Sequence, residues 1–530
     1  MKHIYTLTLI GLTSTASFAQ QGYKKIHNQM LDQAKTFLAN EEYQEAAKIY
    51  KRLLPVDPLF AEVQHDMGLC MANLPGQKDK AMTYFERGVE GRYTESFYQL
   101  GSARHRAQRF DEAVALFDQY KLSTGRLVDD AEVDRRKAMA LSAKAFALAP
   151  VDLKIRNMGN MVNSPAHDYC PLVTADGNTM YFTSRRSGTT GDLKDPFGQW
   201  FEDIYMAKRI DEVWTNAVNA GDPLNTLVHD ATVGLSPDGT SMIIYRTQQN
   251  LISGDLYEAR MRSRKWQLPE LMTPQINTEF HEPSASIAPG AQDIYFTSDR
   301  PGGFGGRDIY RIRRLPNGEW SLPLNLGPTV NTMHDEDAPF MHSDGTTLFF
   351  CSTGHNTMGG YDIFKTVQTD YDMNGWLVPE NMGYPLNTVN DDIYFCLSED
   401  GRTGYFSSER EQGLGMQDIY QVVFPDSQLD HMVVRGVVAD ASEEPLKARI
   451  VLTDATGEEI TGIYNTNERT GRYVMILKPD QTYGMTVEAA GFQPHVSTIV
   501  ATATDDLRKI SLDIVLEPIH IRDGLTRNEK

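Results

Sequence analysis

Two hydrophobic patterns divide the chain. From Gln20 to Pro150, small and apolar residues recur with a helical period inside a larger repeat of about 34 residues. From Val151 to Pro425, and again from Gln428 to Pro518, β-branched and aromatic residues alternate with polar ones. The sequence therefore predicts a helical segment followed by two β-rich domains.

The helical segment contains three copies of a helix pair. Small residues stand where paired helices must approach closely, at Ala34, Gly68 and Gly101 and then at Ala46, Ala81 and Ala113. One helical turn later, each copy has an aromatic residue: Tyr50, Phe85 and Phe117. This spacing resembles tetratricopeptide repeats, which implies an α-solenoid over residues 20–150 with Asp129–Leu148 as its closing helix.

In that family, the first helix of each pair lines a concave groove. The resemblance places six candidate partner-binding residues there: Lys35, Glu62, His65, Glu95, Tyr98 and His105. The set lacks the lysines and asparagines that would hold a terminal carboxylate, so a folded or helical partner suits the groove better. The alternative, that all six are solvated surface residues, stays open on the sequence alone.

The first β-rich segment repeats every 52 to 56 residues or so, roughly the length of one propeller blade. Each unit has a Tyr-Phe-Thr-Ser-like strand and then an Asp-Ile-Tyr-like strand. The five copies of the latter begin at Asp203, Asp255, Asp308, Asp362 and Asp418. These units resemble PD40 or TolB-type repeats, a WD40-like class, which implies a five-bladed all-β propeller over residues 151–425.

The last unit lacks its own outermost strand. Residues 153–164 read LKIRNMGNMVNS, similar to NLGPTVNT at Asn325–Thr332, although no blade precedes them. We therefore predict that this stretch completes the blade ending near Pro425. Such a strand would close the ring and protect edges that otherwise pair with other chains.

Acidic residues recur at two positions of the unit. Eight residues before each turn stands a ring acid, and three of the five follow a histidine: Asp168, Asp230, Glu282, Glu336 and Asp392, with His167, His229 and His281. In a functional interpretation, these residues lie at the mouth of the central channel, where the acids would bind a cation or a basic side chain and the histidines would make the binding pH-sensitive. In a structural interpretation, each acid accepts hydrogen bonds from backbone N–H groups, which explains why it recurs in every blade.

The aspartates that open the Asp-Ile-Tyr strands invite a similar comparison. A calcium site needs a loop dense in oxygen ligands, and none surrounds these residues. We therefore expect them to form hydrogen bonds between blades, and no metal or cofactor is expected.

Residues 428–518 show strands at about ten-residue spacing. Gly436-Val437-Val438, Thr470–Tyr473 and Ala490-Gly491-Phe492 resemble the landmarks of a carboxypeptidase regulatory-like, or transthyretin-like, domain. The resemblance implies a small non-catalytic β-sandwich, followed by a polar tail at 519–530.

Composition and the N-terminus bear on location. Met1–Ala19 has a basic start, a short apolar stretch and a Ser17-Phe18-Ala19 cleavage pattern, which predicts a signal peptide. No later stretch reaches the roughly 20 apolar residues of a transmembrane helix. The net charge of -20 argues against nucleic acid as a partner. Four scattered cysteines predict free buried thiols.

No Gly-x-Ser-x-Gly or His-Glu-x-x-His motif occurs, so catalytic residues are not expected and the protein is predicted not to be an enzyme. The domain order resembles PorE-type periplasmic proteins of the type IX secretion and gliding apparatus of Bacteroidota. That resemblance implies a scaffold or adaptor in the periplasm, associated with the outer membrane. Its implied partners are envelope proteins, such as a PorP- or SprF-type outer-membrane β-barrel.

The usual C-terminal OmpA-like domain has no counterpart after Pro518, so peptidoglycan contact is expected only indirectly. The alternative function is a receptor that binds a glycan or peptidoglycan fragment at the propeller mouth.

Overall fold

The computed structural model describes residues 27–57, 60–74, 76–174, 176–195, 198–251, 253–370, 374–398, 401–425, 432–467, 470–479, 481–501 and 509–519. The chain divides into two compact units, Met1–Leu148 and Ala149–Lys530. The predicted signal peptide and the tail beyond Ile519 lie outside the described residues.

Within its described residues, the first unit consists of seven helices. They are α1 (27–39), α2 (Tyr43–Leu53), α3 (Ala61–Asn73), α4 (Lys78–Glu90), α5 (Thr94–Arg106), α6 (Phe110–Leu122) and α7 (Asp130–Leu148). From α2 onward, each helix packs on the next along the chain. A Cβ atom at Gly68 would lie 2.5 Å from the Phe85 ring, and one at Gly101 would lie 2.8 Å from the Phe117 ring. The small residues thus admit the aromatic rings, as the sequence pattern predicts.

The second unit begins with β1 (Lys154–Asn157) and then builds five antiparallel sheets within the described residues. Sheet A contains β2 (Asp168–Val173), β3 (Thr179–Ser184), β4 (Asp203–Ile210), β5 (Val213–Trp214) and β6 (Val218–Asn219). Sheet B contains β7 (Asp230–Leu235), β8 (Ser241–Thr247), β9 (Gly254–Arg262), β10 (Lys265–Trp266) and β11 (Glu270–Leu271).

Sheets C, D and E repeat this arrangement. Sheet C contains β12 (Ala285–Ile287), β13 (Asp293–Ser298), β14 (Asp308–Arg313) and β15 (Leu324–Asn325). Sheet D contains β16 (Glu336–Met341), β17 (Thr347–Ser352), β18 (Asp362–Asp370), β19 (Gly375–Trp376) and β20 (Glu380–Asn381). Sheet E contains β21 (Asp392–Leu397), β22 (Thr403–Ser408), β23 (Asp418–Val423) and, as its outermost strand, β1.

The five sheets form a closed ring. The innermost strands β2, β7, β12, β16 and β21 contact one another in turn, and β21 returns to β2. In sheet E, β1 runs antiparallel to β23, with Lys154 opposite Val423 and Asn157 opposite Tyr420. This is the pairing that the sequence predicts for the stretch before Pro165. Antiparallel sheets arranged radially about a central channel define a β-propeller.

A β-sandwich follows the ring. Its strands are β24 (Met432–Asp440), β25 (Ala448–Thr453), β26 (Ile460–Asn465), β27 (Arg472–Leu477), β28 (Gln481–Ala489), β29 (His495–Ala501), β30 (Lys509–Ser511) and β31 (Ile514–Leu516). One sheet pairs β24 with β27, β30 and β31, and the other has the order β26-β25-β28-β29. Buried apolar residues such as Val434, Ile450 and Val487 fill the space between them.

Gly436 marks the tightest approach in this domain, because a Cβ atom there would lie 1.8 Å from the carbonyl oxygen of Leu512. The neighbouring Arg435 extends away from the sandwich, and its Nη2 donates to the Gly345 carbonyl of sheet D at 2.8 Å. This bond joins the sandwich to the propeller.

Two sequence predictions concern the chain as a whole. Cys70, Cys170, Cys351 and Cys396 are all buried and free. Among the described residues, the helices are too short or too polar to span a bilayer.

Candidate binding site at the propeller mouth

The ring acids are buried, and each accepts the same two hydrogen bonds from the residue four positions earlier. Asp168 Oδ2 accepts from the backbone N–H of Ser164 at 2.6 Å and from its hydroxyl at 2.7 Å. The other four acids accept equivalent bonds from the residue four positions earlier: Thr226, Thr278, Thr332 and Thr388. This geometry agrees with the structural interpretation, because each acid holds the chain in place where it enters the innermost strand.

An arginine neutralises the acid in four of the five sheets. In sheet E, Arg410 Nη2 lies 3.0 Å from Asp392 Oδ1 and 2.7 Å from the Leu386 carbonyl oxygen, and its guanidinium stacks over Tyr420. Equivalent arginines serve the other three acids: Arg186, Arg246 and Arg300. Because these charges are paired inside the ring, they are not available to a ligand in the channel.

Sheet D departs from this arrangement. His355 takes the place of the arginine, with its Nε2 2.9 Å from the Val330 carbonyl and its ring beside Phe364. No cationic side chain within the described residues forms a salt bridge with Glu336, which accepts from Ser352 Oγ at 2.7 Å. Burial raises the pKa of Glu336 to about 7.

The aspartates that begin the third strands bond within their own sheets. Asp308 Oδ2 accepts from the N–H of Phe304 at 2.6 Å and from Asn325 Nδ2 at 2.7 Å. Asp203, Asp362 and Asp418 repeat the bond with Asn219, Asn381 and Asn157. The predicted bonding between blades is therefore wrong for these residues, since both partners belong to the same sheet.

Sheet B lacks this asparagine, because Leu271 occupies the equivalent position of its outer strand. Asp255 instead accepts from Gln248 Nε2 at 3.2 Å. Throughout the described residues, no three His, Cys, Asp or Glu side chains are grouped so as to hold a metal ion.

In three of the five sheets, the residue before the ring acid accepts from a backbone N–H of the neighbouring sheet. His229 Nδ1 lies 3.1 Å from the backbone nitrogen of Glu202, and Asp335 Oδ1 accepts from the N–H of Arg307 at 3.0 Å. Of the other predicted mouth histidines, His167 is half-buried, with its pKa lowered by burial, and His281 is exposed with its ring beside Tyr245. The three histidines thus differ in exposure and in their neighbours.

A second group of polar residues, which do not recur from sheet to sheet, lies at the channel mouth. We name it the mouth cluster, and it consists of Tyr169, Arg185, Glu202, Arg307, Asp337, Tyr361 and Tyr394. All except the more deeply buried Asp337 are partly exposed. They come from inner strands, near the ring acid, and from the loops that precede third strands.

One half of the cluster centres on Arg307. Its Nη1 donates to Asp337 Oδ2 at 2.7 Å and its Nη2 to the Tyr361 hydroxyl at 2.6 Å. Asp337 also accepts from the hydroxyl of Ser284. Burial lowers the pKa of Arg307, but Asp337, Tyr361 and Asp335 together outweigh it, so the pKa is raised. The guanidinium is therefore held as a planar donor beside the channel.

The other half centres on Glu202. Burial raises the pKa of Glu202, but its close contact with His229, the charge of Arg185 and a hydrogen bond from Tyr169 bring it below its ordinary value. The Tyr169 ring lies 5.7 Å from that of Tyr394, measured between centroids. Burial raises the pKa of Tyr394, as do the charges of Asp337 and Glu202. Tyr394 therefore connects the two halves.

The backbone of the cluster is held by bonds that do recur. The N–H of Asp230 donates to the Glu202 carbonyl at 2.9 Å, that of Glu336 to Arg307 at 2.9 Å, and that of Asp392 to Tyr361 at 2.8 Å. The fold thus fixes the main chain at these positions and leaves the side chain free to differ. Because these residues do not recur, reasoning from the repeats does not find them. The sequence signal for them is a position in the otherwise regular repeat at which the residue type differs from unit to unit.

Below the mouth, the channel narrows between apolar residues. Leu172, Val233, Pro339 and Phe395 line a cavity of about 40 Å³. That volume holds a few water molecules at most. A ligand at the mouth would not pass through.

The six residues predicted to line the helical groove are mostly engaged in packing. Lys35 and Glu62 form an ion pair at 2.5 Å on the surface. The other four are under one-tenth exposed: His65, Glu95, Tyr98 and His105. Glu95, for example, accepts from the Tyr120 hydroxyl at 2.9 Å. Partner binding by this set stays a prediction, with Lys35 and Glu62 the accessible members.

The fold and the mouth cluster define a β-propeller protein that also has a helical unit and a sandwich. Similar solved structures include a putative TolB from Agrobacterium tumefaciens, 16% identical with a TM-score of 0.30, covering 62% of this chain and 97% of that one. A glycosyl hydrolase from Bacteroides ovatus is 12% identical with a TM-score of 0.35, covering 53% and 95%.

An endo-arabinase from Bacteroides thetaiotaomicron is 12% identical with a TM-score of 0.32, covering 51% of this chain and 97% of that one. No family model matches the chain. No curated protein matches it either.

Proposed function

We propose that the protein is a non-enzymatic scaffold or adaptor in the periplasm, associated with the outer membrane. The observation that carries the proposal is that the ring acids, the most regular charged residues of the propeller, are all used to hold the sheets. The domains then offer a partner several surfaces, each on a rigid support. A tetratricopeptide-type solenoid, a five-bladed propeller and a regulatory-like sandwich would each supply one.

The type IX secretion or gliding apparatus of Bacteroidota is the proposed setting. The order of signal sequence, helical repeats, PD40-like units and sandwich supports it through the resemblance to PorE-type proteins. The proposed partner is an outer-membrane β-barrel of the PorP or SprF type. Binding of peptidoglycan would be indirect.

The experiment is cross-linking of a tagged chain in living cells, followed by purification and identification of the attached proteins. We expect an outer-membrane β-barrel to be enriched over the untagged strain. Lys35→Glu reverses an exposed, ion-paired charge of the predicted groove, and Lys48→Glu is its matched control, since Lys48 is exposed and paired with Glu45.

Loss of the β-barrel with Lys35→Glu alone would assign the contact to the groove. Retention with both variants would move the contact to the propeller or the sandwich. Enrichment of no envelope protein at all would refute the scaffold proposal.

A second candidate function is supported by the mouth cluster. Three tyrosines and two arginine–carboxylate groups at a channel mouth are the kind of convergent polar and aromatic set that binds small ligands. The corresponding proposal is a receptor for a glycan or peptidoglycan fragment. Saturable binding of such a fragment by the purified protein, without attached envelope proteins in cells, would favour the receptor over the scaffold.

A further inference from the structure

We infer that the mouth cluster binds the terminal sugar residue of a neutral oligosaccharide. The inference rests on the receptor candidate and names its ligand class and its residues. It is independent of whether the other surfaces act as a scaffold.

The charges of the cluster argue for a neutral ligand. Arg307 is paired with Asp337, and Arg185 is paired with Asp195 at 2.5 Å and lies 3.8 Å from Glu202. A charged ligand would have to compete with these pairs, and breaking a buried pair leaves an uncompensated charge. A ligand rich in hydroxyl groups can instead use the remaining donor and acceptor positions of the same planar groups.

The tyrosines argue for a sugar ring. Within the described residues, no hydrogen bond joins the half-buried Tyr394 hydroxyl to another group, although carboxylate and guanidinium groups stand near it. The Tyr361 hydroxyl accepts from Arg307 and keeps its own proton to donate. The Tyr169 and Tyr394 rings add apolar surface. Sugars present both hydroxyl groups and C–H faces, so this mixture suits them.

The shape of the site limits how much ligand enters. The narrow apolar channel below the mouth stops a chain from threading through the ring. On one side stand residues 185–195 and 198–202, the described part of the connection between β3 and β4. This connection has 18 residues, against nine in 299–307, 353–361 and 409–417 and six in 248–253. Arg185 Nε donates to the Trp200 carbonyl at 3.0 Å and ties this loop to the cluster. Only the end of an oligosaccharide therefore fits.

The test is calorimetric titration of the full chain lacking Met1–Ala19 with neutral and charged disaccharides. The neutral probes are cellobiose, xylobiose and N,N′-diacetylchitobiose, and the charged probe is digalacturonic acid. We expect saturable binding of at least one neutral probe and weaker binding of the charged one. Tyr394→Phe removes one hydroxyl and should weaken binding about tenfold, the usual effect of losing one hydrogen bond to a ligand.

Tyr310→Phe is the matched control, because it removes a tyrosine hydroxyl that is buried within sheet C, away from the cluster. It should bind the neutral probe as the unmodified protein does. Glu202→Gln supplies a second mouth variant if Tyr394→Phe fails to fold, and it too should weaken binding. The inference is overturned if no neutral probe binds saturably, if the charged probe binds more tightly, or if a folded mouth variant binds as well as the control.

The cross-linking experiment separates this inference from the scaffold proposal. A protein that binds no sugar but still captures the β-barrel would remove only the sugar site. Conversely, a protein that binds the neutral probe through Tyr394 but captures no envelope protein would keep the sugar site and remove the scaffold.

Discussion

Replacing Glu336 with glutamine tests the one ring acid that lacks an arginine. Its carboxyl group is fully buried, and its partners are Ser352 and Thr332. Burial raises its pKa from 4.5 to about 7. Between these two values the unfolded chain is ionised while the folded protein keeps its proton. The contribution of Glu336 to stability is therefore present below pH 4.5 and is lost as the pH rises toward 7.

The size of this effect follows from the pKa difference. A change from 4.5 to about 7 corresponds to about 3 kcal/mol, at 1.36 kcal/mol for each pKa unit. Glutamine has nearly the same shape and carries no charge at any pH. The unfolding free energy of Glu336→Gln relative to the unmodified protein should therefore increase by about 3 kcal/mol from acid to mildly alkaline pH. Asp362, whose pKa burial raises to about 8, is present in both proteins and cancels in the comparison.

Denaturant unfolding across this pH range, followed by tryptophan fluorescence, measures the difference. Glu282→Gln is the matched control, since Arg300 lies 3.2 Å from that carboxylate and would lose its partner. We expect the control to be destabilised by the loss of this ion pair, opposite in sign to the gain expected for Glu336→Gln at mildly alkaline pH. A difference for Glu336→Gln that does not change with pH, or that matches the control, would refute the role assigned to the missing arginine.

Three further substitutions test the packing. Arg410→Ala should lower the unfolding free energy by about 3 to 5 kcal/mol, because Asp392 would be left buried and unpaired; a loss below about 1 kcal/mol in denaturant unfolding would contradict this. Asn157→Ala should cost about 1 to 3 kcal/mol by removing the bond from β1 to Asp418, whereas Asn317→Ala, an exposed turn residue, should change the melting temperature little. Gly436→Ala should destabilise the sandwich through the clash with Leu512, seen as faster hydrogen exchange in β24 and not in β7; equal exchange in both proteins would argue against that close approach.

Much of the fold can be predicted from the sequence because residues with the same structural role recur in each sheet. Glu336 accepts hydrogen bonds from the backbone N–H and the hydroxyl of Thr332, four positions earlier. The same geometry in each sheet requires an equivalent pair of residues. Repetition therefore exposes the ring, its acids and the displaced outer strand. It does not reveal which side chain each aspartate meets, and so the sequence predicts a partner for Asp308 in another sheet although Asn325 lies in its own.

The residues of the mouth cluster follow the opposite logic. Glu202, Arg307 and Tyr361 occupy equivalent positions but share no chemistry, because the fold constrains only their backbone. A search for repeats passes over them. The residues predicted to line a groove show a related limit. His65 Nδ1 lies 3.1 Å from the hydroxyl of Ser96, 31 positions later, and burial of this kind depends on tertiary contacts that helical periodicity alone does not specify.

The closed ring is the claim on which the site depends, since the mouth cluster forms only if sheets A and E are held together. Arg156 and Gln421 are opposite each other in the β1–β23 pair. Residues opposite each other in an antiparallel pair are about 4.5 to 5.5 Å apart between Cα atoms, within reach of a disulfide. Arg156→Cys combined with Gln421→Cys should form that disulfide under oxidising conditions, identified by mass spectrometry of the linked peptides. Failure of Arg156→Cys to link either to Gln421→Cys or to Val423→Cys, the two β23 positions nearest to it in this register, would contradict the closure.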